Sequence, residues 1–275
     1  MNTLILKLIA TPLLIAIASL IGRRWGPAVS GWLIGLPFTS APIIFFLALD
    51  HGIPFAAAAS VGVLVGTISQ AAFSLAYAWL ALRWPWPYAL TGSCLAFAAA
   101  TLLLQHLVVP LPLLIFLILL SIALTLLLLP HNVSSNAAAT TPRRDLSVRM
   151  VVATAFVVAL TAIAPLLGAR LSGLLTPFPL YAAILSVFAH RSQGAAAVLA
   201  ILRGLQFGLF AFVTFFLLLA VLLARIGIAG TFAVSAACTL LVQGLALASL
   251  RFLARKAETQ RQTVEHTSDA HATRW

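Results

Sequence analysis

Apolar runs of about 20 residues follow one another along most of the chain, and they restrict the possible folds severely. A helical run of this length spans the hydrocarbon core of a bilayer. Every backbone N–H and C=O inside that core must be paired within the protein, and helices achieve this pairing. A β-barrel would require short alternating segments, and runs such as residues 113–129 do not alternate. We therefore expect an all-α, polytopic membrane helix bundle.

The composition supports this expectation and excludes several functional classes. Of the 275 residues, 63% are hydrophobic and 8% are charged, whereas soluble domains carry about 25% charged residues. The net charge of +11 would indicate nucleic-acid binding in a soluble protein, but these cations lie between apolar runs and in the tail. We predict no nucleic-acid partner. Cys94 and Cys238 lie inside apolar runs and no metal-ligand spacing occurs in the sequence, so we predict no disulfide, metal or cofactor.

The apolar runs predict nine membrane-spanning helices. They cover residues 3–21, 29–49, 54–82, 88–106, 111–129, 149–168, 172–190, 195–224 and 228–253. Residues 130–147 follow the fifth span, and their Ser, Thr, Asn and Pro content predicts a loop. The polar composition of the last residues predicts a disordered tail.

A repeat runs through the chain, in which residue n corresponds to residue n + 142. Average glycine usage would produce about 0.4 glycine pairs at one such offset by chance. Five pairs occur at this repeat offset, namely Gly26/Gly168, Gly31/Gly173, Gly52/Gly194, Gly62/Gly204 and Gly66/Gly208. Spans 1–4 thus correspond to spans 6–9. After Arg83 and Arg225, a shift of two residues aligns residues 91–94 with residues 235–238.

The repeat predicts how the spans are arranged. Equivalent helices lie five spans apart, and an odd number of crossings reverses the direction of the second copy. We expect two inverted four-helix repeats joined by a central helix, an arrangement typical of secondary transporters. Four segments follow: the first four-helix repeat (1–106), a linking helix with a cytoplasmic loop (107–148), the second four-helix repeat (149–253) and the disordered polar tail (254–275).

The distribution of cations predicts the orientation in the membrane. With the N-terminus outside, the outer loops contain only Lys7, Arg170 and Arg225. The cytoplasmic segments then contain Arg23, Arg24, Arg83, Arg143, Arg144, Arg149, Arg191, Arg251, Arg255 and Lys256. Because cytoplasmic loops carry an excess of Lys and Arg, we expect the N-terminus outside and the C-terminus in the cytoplasm.

The second and seventh spans carry prolines at matching positions, and they form the main candidate site. Proline removes a backbone donor and frees a carbonyl, so both helices should be kinked or unwound there. Freed carbonyls and half-helix N-termini can hold a solute near the midplane. A kink that only shapes packing is the alternative, with Ser and Thr bonding their own backbone. The candidate solute-binding residues are Pro37, Thr39, Ser40, Pro42, Pro177, Pro179, Tyr181 and, in the eighth span, Arg203.

Two further features near the spans carry charge. Asp50 and His51 end the second span and are candidates for proton coupling, while the alternative, which Gly52 and Pro54 favour, is an ordinary interfacial turn. Arg203 lies inside the eighth span. It is a candidate anion site, or it extends to the cytoplasmic interface because this span is longer than a bilayer requires.

Small and amide side chains inside the spans predict contacts between helices. Gly62 and Gly66 share with Gly204 and Gly208 the four-residue spacing that lets two helices approach closely. We expect these glycines to make equivalent contacts in the two repeats. Four glutamines lie in apolar runs, and hydrogen bonds between helices are their first interpretation, with solute contact second: Gln70, Gln105, Gln206 and Gln243.

The stretch Val29–Ser40, preceded by Arg23, Arg24 and Trp25, resembles the GlpM-like group of small bacterial membrane proteins. Those proteins are mostly single units with no firmly assigned activity. The resemblance implies a bacterial inner-membrane protein that is a duplicated and fused form of such a unit. It is faint in the second half, which lacks the Leu-Pro-x-Thr-Ser string, and it implies no substrate.

The first functional hypothesis is a secondary transporter or permease for a small solute that binds between spans 2 and 7. The low intramembrane charge favours a neutral or amphipathic solute. A non-transporting membrane scaffold or accessory subunit is the alternative, and the oligomeric state stays open, a homo-oligomer included. An enzyme is not expected, because the sequence contains no HExxH, paired carboxylates, Cys/His cluster or Walker-type phosphate loop.

Overall fold

A computed structural model of the chain describes residues 24–37, 40–106, 108–130 and 176–272, with eight single positions elsewhere (9, 13, 16, 17, 20, 151, 155 and 174). The side chains of Pro42, Phe46, Asp50 and His51 and those of residues 250–272 are outside the description. Apart from those single positions, the predicted first and sixth spans and the linker after Pro130 also lie outside the described residues, as do residues 172, 173 and 175 of the predicted seventh span.

Seven continuous helices contain most of the described residues. They are α1 (Pro27–Ile34), α2 (Ser40–His51), α3 (Ile53–Leu80), α4 (Trp86–Leu104), α5 (Leu111–Leu128), α6 (Leu180–Gln193) and α7 (Ala195–Ala272). The predicted spans 3, 4 and 5 coincide with α3, α4 and α5 to within about two residues at each end, the usual uncertainty of helix boundaries. The predicted second span corresponds to α1 and α2 together, with a break between them.

Four of these helices are long and apolar enough to cross a membrane. They are Ile53–Leu80, Trp86–Leu104, Leu111–Leu128 and the Ala195–Ser249 part of α7. The predicted class, a helical membrane-embedded protein, is therefore confirmed for the described part of the chain. In α4 and α5 only 22% of the apolar window is buried, as expected of helices that face lipid.

Gly227 divides α7 into two arms. Its φ of 71° and ψ of −179° are not helical, and L-residues rarely adopt them. An unbroken helix over the 55 residues Ala195–Ser249 would be about 80 Å long, well beyond the roughly 30 Å hydrocarbon core. We name the arms α7a (195–226) and α7b (228–272). The arm α7a coincides with the predicted span 8 to within two residues, and α7b begins where the predicted span 9 begins.

The C-terminal tail differs from the prediction. The backbone of α7b remains helical to Ala272, whereas disorder was expected after residue 253. The tail is polar, but its Ala, Glu, Gln, Lys and Arg residues have high helix propensity. Extending an existing helix also avoids the cost of nucleation, so a polar segment can continue it.

The centre of the bundle is the crossing of α3 and α7a. Val63 and Leu64 of α3 are fully buried, as are Leu202 and Leu209 of α7a. The other helices surround this pair: α1 and α6 pack on α7, while α2, α4 and α5 pack on α3. The two longest buried helices thus form the scaffold on which the two short broken helices lie.

Glycines set the closest helix contacts. A Cβ atom at Gly31 would overlap the carbonyl oxygen of Ile201, and one at Gly204 would overlap that of Ala28. At Gly208 a Cβ would lie 2.6 Å from the carbonyl oxygen of Trp32. Backbones this close leave no room for a side chain, so α1 lies directly against α7a.

The buried faces of α4 and α7b correspond at the repeat offset. In α4 the buried residues are Ala89, Ser93, Phe97 and Thr101. Their counterparts Thr231, Ser235, Thr239 and Gln243 are buried in α7b. These buried positions fit the unshifted offset and do not fit the predicted two-residue shift after Arg83. It followed the identity of Cys94 and Cys238, but both cysteines lie off this buried face and are only partly buried.

Candidate functional site

The first break separates α1 from α2. The last turn of α1 is tightened by two bonds, from Gly35 N to Trp32 O and from Leu36 N to Leu33 O, each 3.2 Å long. Pro37 follows and has no N–H to continue the helix. Ala41 N then donates to Pro37 O at 2.9 Å and begins α2. The predicted break thus lies at the predicted proline.

The predicted second break precedes α6, and from Thr176 on the chain enters this helix as it enters α2 after the first break. A turn at Thr176 and Pro177 leads to Pro179, which is the repeat counterpart of Pro37. Ala183 N donates to Pro179 O at 2.7 Å, as Ala41 N does to Pro37 O. Both broken helices therefore restart from a proline carbonyl at equivalent positions.

The two breaks meet at a small cavity. The Ser40 hydroxyl donates to Thr176 O at 3.3 Å and joins one break to the other. The space open to the centre of a water-sized sphere is about 30 Å³, which is room for about two water molecules. The lining residues are Ile34, Gly35, Leu36, Ser40, Gln70, Thr176, Pro177, Phe178, Pro179, Leu180, Tyr181, Ala182, Leu205 and Phe212.

The walls of the cavity are uncharged and differ on its two sides. None of the lining residues carries a formal charge at neutral pH. The α3 wall contributes Gln70, which is 6% exposed and whose Oε1 has no hydrogen-bond partner among the described residues. The α7a wall contributes Leu205 and Phe212. A buried carbonyl oxygen of this kind favours a molecule with an N–H or O–H group.

A reciprocal pair of hydrogen bonds holds the end of α1. Trp32 Nε1 donates to Gln243 O at 3.0 Å, and Gln243 Nε2 donates to Trp32 O at 2.8 Å. The second bond gives a further donor to a carbonyl near the C-terminus of α1, where the last carbonyls of a helix lack intrahelical N–H donors. Gln243 thus makes the interhelical bond expected of it, and the partner is the broken helix itself.

Arg203 does not line the cavity. Its Nη2 donates to Pro130 O at 3.3 Å, just beyond the C-terminus of α5. Carbonyls at a helix C-terminus lack intrahelical donors and lie at the negative end of the helix dipole, so a cation is favoured there. The structure therefore gives Arg203 a backbone partner instead of placing it at the proposed solute site.

The remaining candidate residues fall into three groups. Ser40, Pro177, Pro179 and Tyr181 line the cavity, and Pro37 is buried at the first break. Thr39 and the side chains of Pro42, Asp50 and His51 lie outside the described residues, so their predicted roles stay predictions. The glycine candidates lie at helix contacts: Gly66 against Leu174 and Pro177, Gly204 and Gly208 against α1, with Gly62 buried in α3.

The sequence-based candidate site does not include Phe178 and Phe212, and for Gln70 the sequence offers solute contact only as a second interpretation. A stronger signal existed, because Gln70 and Phe212 are counterparts at the repeat offset and both line the cavity.

Comparisons with protein-family models, with curated proteins and with solved structures each found no match. The resemblance of residues 23–40 to the GlpM-like group therefore stays a prediction.

Proposed function

We propose that the protein is a secondary transporter or permease for small uncharged solutes, which bind in the cavity between the two breaks. The observation that carries this proposal is the composition of the lining. Ten of its fourteen residues form five pairs at the repeat offset. The pairs are Ile34/Thr176, Gly35/Pro177, Leu36/Phe178, Ser40/Ala182 and Gln70/Phe212. A cavity on the symmetry axis of two repeats, between broken helices, is where secondary transporters bind their solutes.

Helix contacts support a two-fold relation between the repeats. A Cβ at Gly66 would lie 2.6 Å from Leu174 O, and a Cβ at Gly208 would lie 2.6 Å from Trp32 O. Gly208 is the counterpart of Gly66, and Leu174 is the counterpart of Trp32. The same contact thus occurs twice with the two halves exchanged, as a two-fold axis requires.

The order of contacts supports the inverted arrangement. Moving along α3, Phe73 packs on Phe178 with ring centroids 6.2 Å apart, and Tyr77 packs on His190 at 6.2 Å. Phe178 lies just before α6 and His190 lies near its end, so residue numbers rise together along α3 and along the chain through α6. The two helices therefore run in the same direction. Spans 3 and 7 are parallel in an inverted repeat and antiparallel in a parallel one, because spans 2 and 3 are antiparallel neighbours.

The same order supports the count of nine spans. Short connections join α3 to α4 and α4 to α5, so the direction reverses twice and α5 runs in the direction of α3. Since α6 shares that direction, a chain that leaves α5 on one side and enters α6 from the other must cross once between them. The proposed sixth span, 149–168, supplies this crossing, and the proposed first span completes the first repeat.

The chemistry of the cavity supports an uncharged solute with both a hydrogen-bond donor and an acceptor. Gln70 Oε1 would accept from the donor. The N-termini of α2 and α6 both begin at the cavity, and the positive ends of their dipoles would favour the acceptor. The many apolar lining residues would desolvate a charged solute without a counter-charge, so charged molecules are disfavoured. Urea and glycerol are suitable first probes of this class.

The test is solute uptake by vesicles that contain the purified full-length protein. We expect uptake of urea or glycerol above that of empty vesicles, and no uptake of acetate or choline. Gln70→Leu should reduce this uptake because it removes the unpaired oxygen. Gln105→Leu, a glutamine at the end of α4 outside the cavity lining, is the matched control and should leave uptake unchanged. If the wild-type protein moves none of the probes, the transport proposal fails and the scaffold alternative is favoured.

A further inference from the structure

One face of α3 and one face of α6 carry buried polar atoms without partners. On α3 they are Gln70 Oε1 and Tyr77 Oη, and on α6 they are Ser186 Oγ and His190 Nδ1. Tyr77 and Ser186 are fully buried. Within the described part of the chain none of these four atoms has a hydrogen-bond partner. A buried polar atom without a partner costs free energy, so native proteins normally satisfy such atoms with protein groups or water.

These four atoms form a row that begins at the cavity. Gln70 lines the cavity, and Tyr77 lies two turns further along the same face of α3. Ala182 also lines the cavity, and Ser186 and His190 follow it at four-residue intervals on one face of α6. The Tyr77 and His190 rings, with centroids 6.2 Å apart, bring the far ends of the two faces together.

The equivalent faces in the other half of the molecule are apolar. The counterparts of Gln70 and Tyr77 on α7a are Phe212 and Leu219, and those of Ser186 and His190 on α2 are Ile44 and Ala48. All four counterparts are buried. The same fold therefore buries these positions with hydrocarbon in one half, so its packing does not require polar groups in the other.

We propose that a hydrated route runs between α3 and α6, from the cavity to the side of the membrane where both helices end. Water and the small uncharged solute would satisfy the orphaned atoms along it. The equivalent α2/α7a side is closed by apolar side chains, so the route leads to one side of the membrane only. In the predicted orientation this is the cytoplasmic side. The inference rests on the proposed function for the identity of the solute, but not for the existence of the route.

Phe73, Phe97 and Phe178 would form the gate of this route. Phe178 lines the cavity, and its ring lies 5.1 Å from that of Phe97 and 6.2 Å from that of Phe73. Phe73 in turn contacts Tyr77 at 6.0 Å. Phe178 and Phe73 thus connect the cavity to the Tyr77–His190 end, with Phe97 packed on Phe178, and a rotation of Phe178 would connect the two spaces.

Cysteine reactivity tests the route with a matched pair of positions. In the full-length protein with Cys94 and Cys238 replaced by alanine, single cysteines are introduced as Ser186→Cys and Ile44→Cys, at counterpart positions that are both fully buried. Right-side-out and inside-out vesicles are treated with Ag⁺, and remaining thiols are then labelled with a maleimide after denaturation. We expect S186C to lose most of its later labelling when Ag⁺ is added from the side where α3 ends, and I44C to keep it. Equal reaction of the two cysteines, or no reaction of either, would overturn the proposal.

A second pair keeps the test independent of any folding defect. His190→Cys and Ala48→Cys are also counterparts, and H190C should react while A48C is protected. Size-exclusion profiles of all four variants identify any that do not fold.

Solute uptake by the vesicles that contain the cysteine variants separates the proposed route from the proposed transport function. Uptake without reaction at S186C or H190C rejects the route alone, and reaction without uptake of any probe rejects the transport function alone.

Discussion

At Gly208, the absence of a side chain lets two helices touch. Its Cα faces Gly35 and the carbonyl of Trp32, so α1 and α7a touch through their backbones. A side chain at this position can be accommodated only if one helix moves away from the other. The cavity lies beside this contact and includes Gly35, so a displacement of α1 would also change the site.

We expect Gly208→Ala to lower the free energy of unfolding by about 1–3 kcal/mol, the usual cost of overpacking. Gly244→Ala is the control, because a Cβ there meets no atom within 4 Å. That substitution should be neutral or stabilising by up to about 1 kcal/mol, since alanine is the better helix former. Thermal unfolding of the two purified variants in one detergent measures the difference. Equal stability of the two would contradict the close contact between α1 and α7a.

Individual residues also show what a sequence can and cannot reveal. Pro37 and Pro179 predicted the two breaks because the effect of proline on a helix is local and does not depend on distant partners. The partners of Arg203 and Gln243 could not be predicted, because Pro130 and Trp32 lie 73 and 211 residues away along the chain. Contacts at such separations depend on how the helices pack, and the pattern of apolar residues leaves that packing undetermined.

At the scale of the helices, composition and length determined most of what could be predicted. The bounds of α3, α4 and α5 follow from apolar runs bordered by prolines and polar residues, which act within a few positions. The predicted two-residue shift between α4 and α7b does not fit their buried positions, for a related reason. Both α4 and α7b are rich in alanine and other small residues, so their sequences can be aligned with identical residues in more than one way. Only the positions of the buried residues distinguish these alignments.

The kink at Gly227 provides a prediction for a whole element. Gly227→Ala should lower the free energy of unfolding by about 1–3 kcal/mol, because an L-residue is strained at this φ and ψ. Gly230→Ala lies one turn later, and a Cβ there would make only ordinary contacts at 3.6 Å or more with Ile226. It should be neutral or mildly stabilising. A Gly227→Ala protein as stable as the Gly230→Ala protein would mean that the two arms of α7 do not need this bend.

At the scale of the molecule, the central prediction is that equivalent points of the two repeats lie on opposite sides of the membrane. Ile53 and Ala195, the first residues of α3 and α7, are counterparts in the repeat. In the protein without native cysteines, Ile53→Cys and Ala195→Cys should react with an impermeant maleimide from opposite sides. Reaction of both from the same side would make the repeats parallel and would remove the basis for nine spans.

The contacts of the broken helices extend across the whole molecule. α1, in the first half of the chain, lies against α7a, and the chain before α6, in the second half, lies against Gly66 of α3. Each half therefore supplies the groove in which the broken helix of the other half rests. The halves relate to each other as the subunits of an intertwined dimer, so a chain severed between α5 and α6 would keep its principal interfaces, and two separately made fragments would have the complementary surfaces needed to reassemble.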